Sequence, residues 1–386
     1  MPGLLLFGDT ERSAALRHEV PLAIVGSLLF AEVDGRSIVL TSFLERDRVT
    51  RTLPDAEVLD WFDFGWKELV GDGMSFAEAD REAVTRVVRT LGIEEAIVPG
   101  DFPLALGDRL RADGIVLTVD DDAVELRRRK KTGAELDGIR AAQRAAEAGM
   151  AAARDLLARA RPDGERRLLR DGKLLLAEDV RAALRAACAE NGAPCPPDVI
   201  VGSMWNGGGH EPGSGPLPAG LPIVVDLWPR HETSACWADM TRTFVVGEPA
   251  PEHAATIAEH ARVVGAALDR VKEAVRPGAS AGELFDAACE VFESAGCPTQ
   301  RTAPEEDEGF QSWLGHGVGL EVHEPPTLGP SAREILVAGD VLAIEPGLES
   351  AKIGEVRLED LVLVTEGGCE TLTRFPYAVG EPEQRR

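Results

Sequence analysis

Ala219-Gly220-Leu221-Pro222-Ile223-Val224-Val225-Asp226 has a counterpart 119 residues further on, Ala338-Gly339-Asp340-Val341-Leu342-Ala343-Ile344-Glu345. Each copy is a turn, then an apolar run, then a carboxylate. Each is followed by a second β-like segment with another acid, Asp239 at an interval of 13 and Glu359 at an interval of 14. Chance can produce one such match. Two linked acids in both copies point to duplicated halves that face each other, so that four carboxylates converge. Like charges gathered away from water are costly unless something positive sits among them. Arg357, two residues before Glu359 and expected on the same strand face, is one such cation. One guanidinium cannot neutralise four acids. Two divalent ions, about 3.5–4 Å apart in a carboxylate-bridged site, can.

Gly315-His316-Gly317-Val318-Gly319 adds an imidazole flanked by glycines, where the backbone is free to turn and approach an ion. Histidine with carboxylates and no thiolate suits Mn, Co, Fe or Zn, and argues against a closed structural zinc site.

Helices are expected around these segments. Thr132 and Glu135 fit a capping box, and Leu136, Ile139, Ala142, Ala146, Met150, Ala153 and Leu157 follow at spacings of three and four. Further helices are predicted over Leu175–Asn191, Glu252–Val275 and Ala281–Ala295, each stopped by Gly or Pro. Strands are predicted at Asp198–Gly202, Pro222–Trp228, Trp237–Val246, Asp340–Ile344 and Val356–Thr365. Upstream, residues 1–126 read as a small α/β domain without a catalytic constellation. Its expected strands are Leu22–Val33, Ser37–Ser42, Ala96–Val98 and Ile115–Val119, with a hairpin at Asp34-Gly35 and a helix over Phe76–Leu91. Asp120–Lys131, three acids followed by five basic residues, reads as a solvated hinge rather than a nucleic-acid patch. The chain thus divides into an N-terminal domain, 1–126, and a larger domain, 127–386.

Composition excludes several classes. With 386 residues and 44% apolar content the chain can bury a large core. A net charge of −25 disfavours nucleic acid and anionic membrane as partners. No apolar stretch is long enough to span a bilayer, and the N-terminus has no basic region of the kind that opens a secretion signal. None of the six Cys lies in a CxxC pair, so reduced, buried thiols of a cytoplasmic protein are expected.

Five runs then carry a resemblance: Val224-Val225-Asp226-Leu227, Ala238-Asp239-Met240-Thr241-Arg242-Thr243-Phe244, Gly315-His316-Gly317-Val318-Gly319-Leu320-Glu321-Val322-His323-Glu324, Ile344-Glu345-Pro346-Gly347 and Arg357-Leu358-Glu359-Asp360. In order and spacing they resemble the signature blocks of the M24 metallopeptidases, which include aminopeptidase P, prolidase and methionine aminopeptidase. The resemblance covers roughly residues 130–375. It implies a creatinase-N-like α/β domain followed by a pita-bread αβ domain with a pseudo-twofold repeat around a dinuclear metal site. The implied ligands are Asp226, Asp239, His316, Glu345 and Glu359, with Asp239 and Glu359 shared by both ions, and manganese expected ahead of cobalt, zinc or iron. Glu345 is implied to handle the proton of the attacking water. His323 and His210 are implied to face the substrate, and Arg357 to orient a ligand. The implied activity is release of an N-terminal residue from X-Pro peptides or splitting of X-Pro dipeptides. The implied partners are a peptide substrate and a second copy of the chain in a homodimer.

The chain departs from the family at two places. The interval from Asp226 to Asp239 is about two residues longer than usual, which predicts a longer hairpin over Trp228–Ala235. Proline-specific members often carry Tyr where this chain has Glu349, and the N-terminal domain lacks their aromatic stretch. Three alternatives therefore stand beside the proline-specific reading: an M24 aminopeptidase without proline preference, a creatinase-like C–N hydrolase, and a catalytically silent binding module. Trp205, Trp228 and Trp313 are candidate walls of a proline slot. His231 reads as a loop residue. Neither His210-Glu211 nor His323-Glu324 is followed by the second His of HExxH, and no GxSxG elbow or Walker loop occurs.

Overall fold

Strand Pro222–Leu227 is buried at every position and pairs antiparallel with Ile200–Gly202 on one edge and Met240–Val245 on the other. Its apolar run, Pro222–Val225, suits a strand covered on both faces. The repeat partner, Val341–Ile344, is equally buried. It lies between Gly315–Gly317 and Asp360–Thr365 in a five-stranded sheet whose edges are Glu324–Leu328 and Gly368–Thr371. The repeat therefore relates whole elements. Asp239 stands immediately before Met240–Val245, and Glu359 immediately before Asp360–Thr365. A helix pair precedes each sheet, Gly133–Leu157 with Ala177–Glu190 and Pro251–Ala274 with Ala281–Ser294.

The computed structural model describes residues 2–207 and 211–377, so His210 lies outside the described residues. The chain separates into two compact units, Met1–Arg128 and Arg129–Arg386. In the first, a six-stranded sheet runs Glu57–Asp60, Arg36–Thr41, Leu28–Val33, Gly3–Gly8, Glu95–Val98 and Val116–Val119 in spatial order. Gly3–Gly8 is a strand that sequence reasoning did not predict. Leu5 faces one apolar cluster, and Leu4 and Leu6 face another. The predicted strand over Leu22–Val33 begins only at Leu28. Its first residues are held by Thr10, whose hydroxyl donates to the Leu22 carbonyl at 2.5 Å and accepts the Ile24 N–H at 2.8 Å.

Local rules account for the helices of the larger unit. The Thr132–Glu135 capping box forms in both directions, with Glu135 N–H donating to Thr132 Oγ1 at 3.2 Å and Thr132 N–H to Glu135 Oε2 at 2.7 Å. Ser280 and Glu283 cap Ala281–Ser294 in the same way. Gly149 lets the first two helices approach closely. A Cβ there would stand 2.4 Å from Cys188 Sγ and 3.1 Å from the Leu184 carbonyl oxygen.

The solvated hinge is corrected by the structure. Asp121–Arg129 is a helix, and Arg128 and Arg129 are buried. Arg129 grips Asp340 with two hydrogen bonds, 2.9 and 2.7 Å, and Lys131 pairs with Glu324. Both acids are buried and need a cation, so these basic side chains turn inward. All six Cys are free, four of them buried, with Cys297 and Cys369 half-buried. Among the described residues no helix is long and apolar enough to cross a membrane.

Gly149→Ala tests the helix contact. In an open helix this change stabilises by about 1 kcal/mol. Here the overpacking reverses the sign, with an expected loss of about 1–3 kcal/mol, read as a lower denaturant midpoint.

Candidate metal centre

The acids converge because in each half one acid lies at the end of a buried strand, Asp226 or Glu345, and the other stands just before the antiparallel neighbour, Asp239 or Glu359. Asp226 pairs in register with Thr241, two positions from Asp239, so both carboxylates lie on one face. In the other half Ile344 pairs with Asp360, which sets Glu345 beside Glu359. The halves meet at these strands. Glu359 N–H donates to the Thr241 carbonyl at 3.1 Å, and Thr241 Oγ1 donates to Glu359 Oε2 at 2.7 Å. Thr243 Oγ1 accepts Arg357 N–H at 3.0 Å and donates to its carbonyl at 2.8 Å.

This seam corrects one expectation. The predicted strand Val356–Thr365 breaks into Val356–Arg357 and Asp360–Thr365, so Arg357 and Glu359 do not share a strand. At the break the Glu359 backbone bonds to the opposite half instead of its own sheet. Arg357 still reaches the acids, with Nη2 donating to Asp226 Oδ2 at 2.8 Å and Nη1 standing 3.6 Å from Glu345 Oε2.

Ligand atoms of Asp226, Asp239 and Glu359 lie within 4.8 Å of one another, and so do those of Asp239, His316 and His323. The two groups share Asp239. His316 Nε2 is 3.8 Å from Asp239 Oδ2 and 3.6 Å from Glu345 Oε1. His316 Nδ1 lies 3.1 Å from the Gly317 carbonyl, a contact that assigns the proton to Nδ1 and leaves the Nε2 lone pair facing the acids. His323 is exposed and stacks edge-on against His316 with ring centroids 4.2 Å apart. Asp226, Asp239, His316, His323, Glu345, Arg357 and Glu359 all line one cavity of about 320 Å³, together with Asp198 and Trp228. Trp313 lines an adjoining cavity of about 490 Å³ with His316, His323 and Glu345. Trp205 lines neither. His231 lies in the segment between the two aspartates, its Nδ1 2.8 Å from Ser234 Oγ, and Asp226 and Asp239 still stand together.

Burial, followed by repulsion from Glu359, Asp226 and Glu345, holds the Asp239 carboxyl well above the usual range. Burial, then Glu345 and Asp226, does the same to Glu359. Burial outweighs Arg357 and pushes Glu345 up to about 7. Burial and then His323 pull His316 down to about 4, so it is neutral at pH 7. Burial opposes the charge of Arg357, but Glu355, Asp226, Glu345 and Glu359 outweigh it and keep the guanidinium protonated. The buried Oδ1 atoms of Asp226 and Asp239 have no hydrogen-bond partner. A buried acceptor left so costs about 1–3 kcal/mol, more when charged. Unsatisfied carboxylate oxygens, a neutral imidazole and mutual repulsion together fit divalent cations in this cavity.

Residues 137–366 match the model of metallopeptidase family M24. The chain belongs to this family. It is 38% identical to an Xaa-Pro dipeptidase of Pyrococcus furiosus over 154 residues, 39% of each chain, so the match spans about two fifths of that relative's length. The structure superposes on dipeptidase PepE from Mycobacterium ulcerans with a TM-score of 0.73 at 25% identity, covering 99% of this chain and 94% of that one. With X-Pro aminopeptidase from Thermotoga maritima the TM-score is 0.76 at 21% identity, covering 98% and 97%. The fold is thus the α/β N-terminal domain and pita-bread M24 domain of these proteins.

Thr241 and Asp198 were not anticipated from sequence. The Thr-Arg-Thr alternation in a wholly buried strand was the available signal for Thr241. Asp198, exposed at the cavity rim, offered none.

The raised carboxyls set a pH dependence. Their folded-state values exceed the unfolded ones, so in metal-free protein they favour the fold below about pH 4.5 and lose that effect as pH rises through about 7. The thermal midpoint of metal-free protein should therefore fall between those limits relative to a Glu345→Gln/Glu359→Gln variant, and added Mn²⁺ should reverse the fall at pH 7.5. Divalent-ion affinity, read by titration calorimetry, should weaken on acidification below about 7.

Proposed function

We propose that the protein is a dinuclear-metal-dependent peptidase that removes the N-terminal residue from X-Pro peptides or splits X-Pro dipeptides. The carrying observation is the pair of ligand groups joined at Asp239. Asp226, Asp239, His316, Glu345 and Glu359 would hold the ions, and the sharing of Asp239 supports a bridging role for it. The ions, manganese foremost, would supply Lewis acidity and a more acidic water.

The remaining chemistry belongs to the chain. Glu345, half-buried at the cavity wall, would take a proton from water and return it to the leaving nitrogen. His323 reaches past His316 into both cavities and would donate to the carbonyl oxygen as it gains charge. Arg357 fixes Asp226 Oδ2 and leaves Oδ1 free. An X-Pro amide has no N–H to bind and a rigid ring. Trp228 in one cavity and Trp313 in the other would provide apolar walls for such a group. The reading extends to a cytoplasmic homodimer, for which light scattering should give about twice 41.3 kDa.

Hydrolysis of Ala-Pro, Ala-Pro-Ala and Ala-Ala-Ala tests the reading. Chelation should abolish turnover, and Mn²⁺ or Co²⁺ should restore it. Preference for Ala-Pro marks a dipeptidase and preference for Ala-Pro-Ala an aminopeptidase, whereas equal cleavage of Ala-Ala-Ala removes the proline assignment. Glu345→Gln should lose most turnover. His323→Ala should lose about 10²–10³-fold, the scale of one oxyanion donor. A near-normal rate in either variant removes that residue from the mechanism.

A further inference from the structure

Lys131 stands immediately before Thr132, the N-cap of the 25-residue helix Gly133–Leu157. A cation there faces the positive end of the helix dipole, which is unfavourable. Its side chain is nevertheless only 3% exposed, so solubility does not explain it either. It pairs with Glu324, whose side chain is 2% exposed.

Glu324 directly follows His323 and opens the edge strand Glu324–Leu328, where the loop that carries His323 ends. One carboxylate oxygen, Oε1, takes Lys131, and the other, Oε2, accepts the Glu321 N–H at 3.3 Å. The Glu324 backbone pairs with Gly317, next to His316. Gly319 closes the loop over the ion pair. A Cβ at that position would lie 2.5 Å from Glu324 Oε1 and 2.8 Å from Lys131 Cε. From the other side Trp237, two residues before Asp239, donates its backbone N–H to the Gly319 carbonyl at 2.8 Å and its indole N–H to the Leu320 carbonyl at 3.2 Å. His323 itself is exposed, and its ring stacks edge-on against His316.

We propose that Lys131 is a positioning residue for His323, acting through its buried ion pair with Glu324 to anchor the 317–324 loop to the start of the long helix. Breaking a buried pair leaves a lone charge that seeks water. The loop would shift to expose Glu324, and His323 would move with it.

The rate arm rests on the peptidase reading, and the exchange arm does not. Lys131→Met is compared in the wild-type and His323→Ala backgrounds, with Ala-Pro turnover and amide hydrogen exchange measured on Mn²⁺-loaded protein. Lys131→Met should lower kcat about 10–100-fold when His323 is present, and by less than about twofold when it is absent. Amides of residues 318–323 should exchange faster, while those of Pro222–Leu227 stay protected. Equal losses in both backgrounds, or unchanged exchange in the loop, overturn the proposal. If Lys131→Met does not fold, Lys131→Met/Glu324→Gln, which leaves no buried charge, is read by the same criteria. Wild-type kcat and exchange in that variant also overturn it. If the unaltered protein cleaves no peptide, the peptidase reading fails, and loop exchange alone decides the role of Lys131.

Discussion

Asp226, Asp239 and Glu359 bring oxygen atoms within 4.8 Å of one another at positions no more than 7% exposed. Two unit charges about 4 Å apart near a protein surface repel by about 4 kcal/mol. Glu345 adds a fourth acid, and Arg357 answers with one charge. Burial first, and then the repulsion that one guanidinium does not cancel, favours protons on the cluster, so Asp239, Glu345 and Glu359 all titrate high. Cations that displace those protons turn the repulsion into binding energy. The rest of the larger unit is a frame that prevents the acids from moving apart.

That frame is built by repetition. Two sheets each present a buried strand ending in an acid, and a neighbouring strand opens with another. The threonines of Met240–Val245 clasp the backbone at Arg357 and Glu359. Between them Arg242, 1% exposed, points the other way. It donates to the Glu359 carbonyl at 2.6 Å and to Asp360 Oδ1 at 3.0 Å. Glu359 is thus held from the opposite half, by its side chain through Thr241 Oγ1 and by its backbone through the Thr241 carbonyl and Arg242. Such support suits a ligand that must stay placed whether or not an ion is bound.

Much of this was legible in the chain, for local reasons. The four acids showed because a duplicated strand kept them at a nearly constant offset, and His316 showed through its flanking glycines. Helix limits followed from capping boxes and from Gly and Pro stops, to within about two residues. What stayed hidden depended on distant partners. Arg129 and Lys131 looked solvated because their acids, Asp340 and Glu324, lie 211 and 193 residues away in sequence. The break in Val356–Thr365 was invisible because the bonds that cause it come from Thr241 and Thr243 in the opposite half. Gly3–Gly8 was missed because a short apolar run without alternation carries no period to read.

Anomalous scattering from crystals grown with Mn²⁺ tests the metal centre most directly. The account predicts two manganese peaks about 3.5–4 Å apart, both beside Asp239, with Asp226, His316, Glu345 and Glu359 completing their shells. A single peak elsewhere, or none at saturating Mn²⁺ with the acids neutralised by Arg357 and protons alone, would contradict it.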